Sequence, residues 1–289
     1  MGARPADRSF SGVGRPGTHG PGTPVPGLAS GFDEGSGLPI VVVQPLQGRW
    51  EWTKPLLRAL ARKARVVSYS LAGEYGSGHP ADASLTFDAY VAQLRDVMDA
   101  AGLETAAVCG ISFGGAVAAR FASKYPDRVS HLVIVSSPGP GWRANDRQAG
   151  YVARPWQSLP AFAFGAFKRI APEIRSAIDT RRGRLWFAVR HVSIALRHPS
   201  LPPMMARRVK LLEALDLAPD CGRITAPTLI VTGEPALDRV VPVESTKRYA
   251  QLIPGARCVM MEGTGHQGVL TQPDRFAALV NEFFNASHP

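Results

Sequence analysis

The sequence predicts an α/β protein in which a mostly parallel sheet is flanked by helices. Short apolar runs of strand length alternate along the chain with segments of helical period. The first run, at 39–43, is continuously apolar, as in strands that are buried on both faces. The chain has 289 residues, 45% apolar and 19% charged, which suffices for a large core and excludes a wholly disordered protein.

The expected elements follow one another in strand–helix order, which favours parallel pairing. Strands are predicted at 39–43, 65–69, 105–109, 131–135, 228–232 and 257–261. Helices are predicted at 53–63, 85–101, 113–125, 243–252 and 274–285. No apolar run approaches the roughly 18 residues of a membrane span, so we expect no integral membrane segment.

The chain divides into a tail, a core and an insert. Residues 1–37 hold 10 Gly and 5 Pro and predict a disordered tail. Residues 38–138 and 223–289 carry the strands and form the expected core. Between them, residues 139–222 have a helical pattern, eight aromatic residues and no convincing strand. This segment predicts a helical lid inserted into the core.

The net charge of +10 is concentrated in the predicted lid. Residues 139–222 contain 14 basic and 6 acidic residues, a net charge of +8. Such a surface fits an Arg-rich solvated helix face, and it also fits contact with an anionic surface or an acidic substrate. No nucleic-acid-binding module is recognisable, so we expect no nucleic-acid partner.

Cysteine usage indicates a reducing compartment. The chain has three cysteines, Cys109, Cys221 and Cys258, at spacings that suit neither a disulfide framework nor a metal site. The basic N-terminal residues are not followed by the apolar stretch of a secretory signal. We therefore expect a cytoplasmic protein.

A G-x-S-x-G motif lies between a predicted buried strand and a predicted helix. Gly110, Ser112 and Gly114 form it. On a sharp strand-to-helix turn the serine hydroxyl stands exposed above the sheet, and side chains two positions away on either side would collide. The helix N-terminus also directs N–H groups at a developing anion. Ser112 is the predicted nucleophile, with Gly110 and Gly114 as the glycines of the turn.

A serine hydroxyl needs a base, and His266 is the best-placed histidine. It lies in the glycine-rich loop 263–268, directly after the last predicted strand. Since parallel strands all end on one side of a sheet, this loop can reach Ser112. An acid must then orient the imidazole. Asp238 follows the fifth predicted strand, and Glu234 is a rival nearer to the strand end; we favour Asp238.

With these motifs the sequence resembles the α/β-hydrolase superfamily over roughly residues 38–289. The nucleophile turn, the acid loop and the histidine loop match in type, order and spacing. The resemblance implies a helical cap and two-step acyl transfer, in which Ser112 attacks, His266 moves the proton, Asp238 steadies it and water releases the acid. It also implies an oxyanion hole at the N–H groups of Leu46 and Phe113. No metal or cofactor is implied.

Two departures from the family pattern stand out. Gln44 follows the first predicted strand where family members often carry a histidine, which affects the geometry of the oxyanion loop. The family also usually has two strands before that point. Residues 1–37 suggest no strand pair, so the sheet could lack them and hold about six strands.

The predicted function is hydrolysis of hydrophobic carboxylic esters by a serine hydrolase. Aromatic residues of the lid suggest an apolar pocket over Ser112. Three alternatives use the same triad: an acyl transferase, a perhydrolase and a C–C hydrolase. A fourth is a non-catalytic ligand-binding protein on a hydrolase fold.

Overall fold

The computed structural model describes residues 31–79, 81–82 and 85–286. Seven strands form one sheet. In chain order they are β1 (Gly31–Glu34), β2 (Pro39–Val43), β3 (Arg65–Tyr69), β4 (Ala106–Ile111), β5 (Val129–Val135), β6 (Thr228–Thr232) and β7 (Arg257–Met260). Across the sheet their order is β1-β3-β2-β4-β5-β6-β7. All neighbouring pairs are parallel except β1 with β3.

Strand β1 corrects the expectation of six strands and of a tail extending to residue 37. It pairs with β3 from Gly31 opposite Tyr69 to Glu34 opposite Val66. Only Phe32 is buried in this edge strand, so it shows neither a continuous apolar run nor a full alternation. The rest of the predicted tail, residues 1–30, lies outside the described residues.

Two layers of helices cover the sheet because successive side chains of a strand point to opposite faces. Val41 and Val43 of β2 belong to one apolar cluster, and Ile40 and Val42 belong to the other. The helices of the core are α1 (Lys54–Ala61), α2 (Phe87–Ala100), α3 (Phe113–Lys124), α9 (Val243–Leu252), α10 (Gly268–Thr271) and α11 (Pro273–Ala286). Helices α2, α3 and α9 pack on the first face, and α1 and α11 pack on the second.

Residues 139–222, called the insert below, leave the core after β5 and return to it before β6. Their described elements are all helices: α4 (Asp146–Ala153), α5 (Leu159–Ala177), α6 (Arg181–Arg197), α7 (Pro202–Glu213) and α8 (Ala218–Cys221). Within the described residues, no helix is both long and apolar enough to cross a membrane.

The carboxyl ends of the parallel strands place three loops at one edge of the sheet. The turn at Ser112 follows β4, the loop 233–242 follows β6, and the loop 261–267 follows β7. Helix α5 of the insert contacts the loop after β7, and α7 contacts the loop after β2. The candidate site lies at this edge.

Candidate active site

Ser112 occupies a strained turn between β4 and α3. Its φ is 51° and its ψ is −117°, and φ is positive at only one other described non-glycine residue, Ser136. Such a backbone conformation costs about 1–3 kcal/mol and persists only where its surroundings enforce it. Helix α3 begins at the next residue, Phe113, so the serine lies at the positive end of the helix dipole.

Close backbone approach explains the two glycines of the turn. A Cβ atom at Gly110 would collide with the carbonyl oxygen of Gly114. A Cβ atom at Gly114 would collide with the carbonyl oxygen of Val43, at the end of β2. The turn therefore packs directly on the neighbouring strand, and any larger residue would displace Ser112.

The structure brings His266 within reach of the serine hydroxyl. The imidazole Nε2 lies 3.2 Å from Ser112 Oγ, although the two residues are 154 positions apart. Ser112 is 6% exposed, and the loop that carries His266 is bonded to the insert through Gln267. A neutral imidazole at this distance can accept the hydroxyl proton when the serine attacks a carbonyl.

Asp238, and not Glu234, lies against His266. Asp238 Oδ2 is 3.2 Å from His266 Nδ1, while its Oδ1 accepts the N–H groups of Val240 and Val241, each at 3.0 Å. These bonds hold the carboxylate in one orientation, and so it can fix the tautomer of the imidazole. Glu234 instead accepts the N–H of Gly263 at 2.6 Å, which ties the histidine loop to the loop after β6.

Two carboxylates set the protonation of His266. Burial by itself lowers the pKa of the imidazole, but the charge and hydrogen bond of Asp238, together with the charge of Glu173, outweigh it. The pKa of His266 therefore lies above its ordinary value. A base with a raised pKa accepts a proton more readily, and it also needs a higher pH to be neutral.

Glu173 is the site residue that sequence reasoning missed. It belongs to α5 in the insert, is 1% exposed, and accepts the N–H of Gln267 at 3.0 Å through Oε2. Burial raises its pKa, and the backbone N–H groups of Gln267 and Gly265 oppose that rise. The sequence contained one signal for it, because Glu173 is the only acidic residue among the 19 residues of α5.

The loop after β2 carries the predicted oxyanion donor Leu46. The loop closes with the N–H of Gly48 donating to the carbonyl of Pro45 at 2.8 Å. Gln44, the departure from the family pattern, is fully buried. Its amide donates to Ser68 Oγ at 2.6 Å and accepts from Thr53 Oγ1 at 2.8 Å. Gln44 thus joins the loop to β3 and to the chain before α1.

Arg208 of α7 supports this loop from the insert. Its guanidinium donates to the carbonyl of Leu46 at 2.9 Å and to that of Ala72 at 3.0 Å, and it pairs with Glu74 at 2.7 Å. Gly48 has a φ of 76° and leaves no room for a Cβ, which would lie 2.6 Å from the guanidinium. The buried Arg208–Glu74 pair therefore packs against the turn that presents Leu46.

Taken together, the geometry can support acyl transfer. Ser112, His266 and Asp238 lie in one line of contacts, as a nucleophile, a base and an orienting acid require, and the turn after Ser112 packs on the end of β2, whose following loop carries Leu46. Across the described ranges, no group of three or more His, Cys, Asp or Glu side chains is placed to hold a metal ion.

The fold and this constellation define the class of protein: an α/β hydrolase. A family model described as "alpha/beta hydrolase fold" matches residues 35–273. The chain therefore belongs to the α/β-hydrolase family.

Curated relatives resemble almost the whole chain. A 2-hydroxymuconate semialdehyde hydrolase of Pseudomonas sp. (strain CF600) is 28% identical over 263 residues, covering 87% of this chain and 88% of the relative. A second relative, from Caulobacter sp. (strain K31), is named as a carbamate hydrolase. It is 26% identical, over 85% of this chain and 90% of the relative.

Solved structures show the same fold. The enol-lactonase from Burkholderia xenovorans LB400 superposes with a TM-score of 0.72 at 20% identity, over 89% of this chain and 96% of that one. A meta-cleavage product hydrolase from Pseudomonas fluorescens IP01 has a TM-score of 0.65 at 25% identity, over 89% of this chain and 94% of that one. The names of these relatives and structures denote several different hydrolase activities.

Proposed function

We propose that the chain is a serine hydrolase that cleaves carboxylic acyl compounds through an acyl-enzyme, with hydrophobic esters as the leading substrates. One observation carries the proposal: the continuous chain of contacts from Ser112 Oγ to His266 Nε2, and from His266 Nδ1 to Asp238 Oδ2, each 3.2 Å long. Membership of the α/β-hydrolase family supports it.

The proposed reaction has two steps. His266 takes the proton of Ser112 as the oxygen attacks the substrate carbonyl, and the N–H groups of Leu46 and Phe113 stabilise the oxyanion. The intermediate then collapses, and His266 returns the proton to the leaving alcohol. In the second step His266 removes a proton from water, which attacks the acyl-enzyme, and the acid leaves as Ser112 regains its proton.

Ser112→Ala tests the nucleophile. It should abolish turnover of p-nitrophenyl esters and labelling by a fluorophosphonate probe. Ser70→Ala is a matched control, because Ser70 is buried just after β3 and its hydroxyl has no hydrogen-bond partner among the described residues. Ester hydrolysis by the Ser112→Ala variant at the wild-type rate would refute the assignment. Absence of probe labelling in the wild type would favour the non-catalytic alternative.

Cleavage of a C–C bond is the second candidate function, and the relatives favour it. A 2-hydroxy-6-oxo-2,4-heptadienoate hydrolase of Pseudomonas putida F1 is 28% identical over 88% of this chain, and so two such hydrolases match at similar identity. The same three side chains would serve, with a carbon leaving group in place of an alkoxide. Comparing kcat/KM for that dienoate with kcat/KM for an ester panel separates the two candidates.

The choice of hydrophobic esters rests on the aromatic residues of the insert. Because Ser112 is only 6% exposed, side chains around it must move before an acyl group can enter. Preference for longer acyl chains within the ester panel would support an apolar pocket beneath the insert. Transfer to added alcohol or peroxide, seen in the products, would identify the transferase or perhydrolase alternatives.

A cytoplasmic location is part of the proposal and rests on the thiols. All three cysteines are free, with Cys109 and Cys221 buried and Cys258 exposed. Free thiols persist in reducing compartments. Cell fractionation of the expressed protein tests this location.

A further inference from the structure

Helix α6 of the insert presents an apolar stripe to solvent. Leu185, Val189, Val192 and Leu196 recur at spacings of four, three and four residues, which places them on one face of the helix over about 17 Å. All four are exposed, Leu185 to 66% and Leu196 to 78%. Of the 17 residues of α6, only Phe187 is buried.

The opposite face of α6 is the one that packs against the core. Phe187 stacks on His191 with ring centroids 3.9 Å apart, and His191 in turn contacts Trp52 at 6.1 Å. The apolar stripe therefore does not belong to the interface between the insert and the core. Elsewhere in proteins, exposed apolar stripes of this extent mark surfaces that another body covers.

The exposed apolar residues of the described chain concentrate in this part of the molecule. Ten of the twelve large apolar side chains that are exposed in the described ranges lie at 156–201. They include two indoles, Trp156 and Trp186, and two phenyl rings, Phe164 and Phe167. Indole rings are the side chains that most often occupy the headgroup level of a bilayer.

The charge of the same segment is strongly positive. Residues 159–197 contain eight Lys and Arg residues but only two acids, and one of those acids, Glu173, is buried. Arg181 lies one turn before Leu185 on the same stripe, and Arg197 lines an open groove on α6 together with Leu196. Arg190 is half-buried, forms no ion pair with a described carboxylate, and has its pKa lowered by burial to about 10.

From this combination we infer that helices α5 and α6 dock on an anionic phospholipid surface. The stripe and the aromatic rings would enter the boundary between headgroups and acyl chains, while the Arg and Lys side chains contact lipid phosphates. Charge decides against a symmetric contact between two copies of this chain, because it would bring together two segments that each carry a net charge of +6. An anionic bilayer offers acyl chains to the apolar residues and phosphate groups to the basic residues.

Vesicle co-sedimentation of the full chain tests this inference. The protein should pellet with vesicles of phosphatidylcholine and phosphatidylglycerol, remain in solution with phosphatidylcholine alone, and dissociate as salt is added. Leu185→Asp and Leu196→Asp should each weaken binding more than about tenfold, since each removes an apolar side chain that the bilayer buries and adds a charge that the anionic lipid repels. Met260→Asp replaces an exposed apolar residue outside the insert and should bind like the wild type.

A second pair of variants tests the electrostatic part. Arg181→Gln and Arg182→Gln should each weaken binding to the anionic vesicles about fivefold. Lys63→Gln removes one exposed charge from the core and should change binding little. Equal binding to both kinds of vesicle, or binding to neither, would overturn the inference. So would sedimentation velocity that shows a dimer abolished by Leu196→Asp, because a second copy would then cover the stripe.

Discussion

The core and the insert differ in how they are held in place: the core mainly by apolar packing, and α5 and α6 of the insert with far fewer buried residues. Helix α3 of the core buries nine of its twelve residues, whereas α5 and α6 of the insert bury one residue each out of 19 and 17. The core is held by apolar area on both faces of the sheet. The insert reaches the catalytic edge through a few buried polar side chains, above all Arg208 and Glu173. Removing one such contact should therefore act on the site as well as on stability.

The largest expected effect lies in the core. Asp238→Asn keeps the size of the side chain but loses the charge that holds the tautomer of His266. Turnover should fall by about 10³–10⁴, with the fold unchanged. Steady-state kinetics beside circular dichroism measures both. Glu234→Gln is the matched control, because Glu234 contacts the backbone of the histidine loop and not the imidazole. An equal loss in both variants would contradict the assignment of the acid.

The second-largest effect should come from breaking the buried ion pair between Arg208 of the insert and Glu74. Arg208→Met leaves Glu74 buried without its partner, which costs about 3–5 kcal/mol in the free energy of unfolding. Chemical denaturation measures this loss. The double variant Arg208→Met with Glu74→Gln should recover part of it. If Arg208→Met were as stable as the wild type, the ion pair would not support the Leu46 loop, contrary to what its contacts indicate.

A change in the core that adds a single methyl group should be smaller. Gly114→Ala forces a Cβ into the carbonyl oxygen of Val43. We expect a loss of about 1–3 kcal/mol in unfolding free energy, and reduced turnover because Ser112 moves with the turn. Gly150→Ala in α4 is the control, as a Cβ there meets nothing within 4 Å. Normal stability and activity of Gly114→Ala would show that the turn has more room than its contacts suggest.

Glu173 links the insert to the acidic limb of the pH profile. Its negative charge raises the pKa of His266, and the imidazole must be neutral to act as a base. Glu173→Gln keeps a hydrogen-bond acceptor for Gln267 but removes the charge. The pKa of His266 should therefore fall, and the acidic limb of kcat/KM should move to lower pH. Glu173→Asp, which retains the charge, is the comparison. If the acidic limb of the pH profile did not move, the role of Glu173 would be only structural.

The smallest effect on stability should come from the exposed stripe. Leu196→Ser removes an apolar side chain that contacts solvent, so the free energy of unfolding should change by less than about 0.5 kcal/mol. Leu132→Ala, in the buried centre of β5, should lose about 2–5 kcal/mol in the same measurement. Strong destabilisation by Leu196→Ser would mean that the stripe packs within the chain.

Local pattern predicted most of the core. The expected strands at 39–43, 65–69 and 228–232 coincide with β2, β3 and β6, and the helix at 243–252 coincides with α9. These segments are either continuously apolar or strongly periodic, so their signal is contained in a few neighbouring residues. Strand β1 was missed because one buried phenylalanine in a short edge strand carries no such signal.

The candidate site separates what the sequence determined from what tertiary structure decided. The motif around Ser112, the glycine-rich loop of His266 and the order of the three residues were readable because backbone sterics and strand direction restrict them locally. The choice of Asp238 over Glu234 needed coordinates, since both acids follow the same strand and only the path of the loop brings one to the imidazole. Glu173, Arg208 and the outward-facing stripe of α6 also needed them. Each depends on how a helix of the insert is rotated against the core, and contacts between distant segments set that rotation.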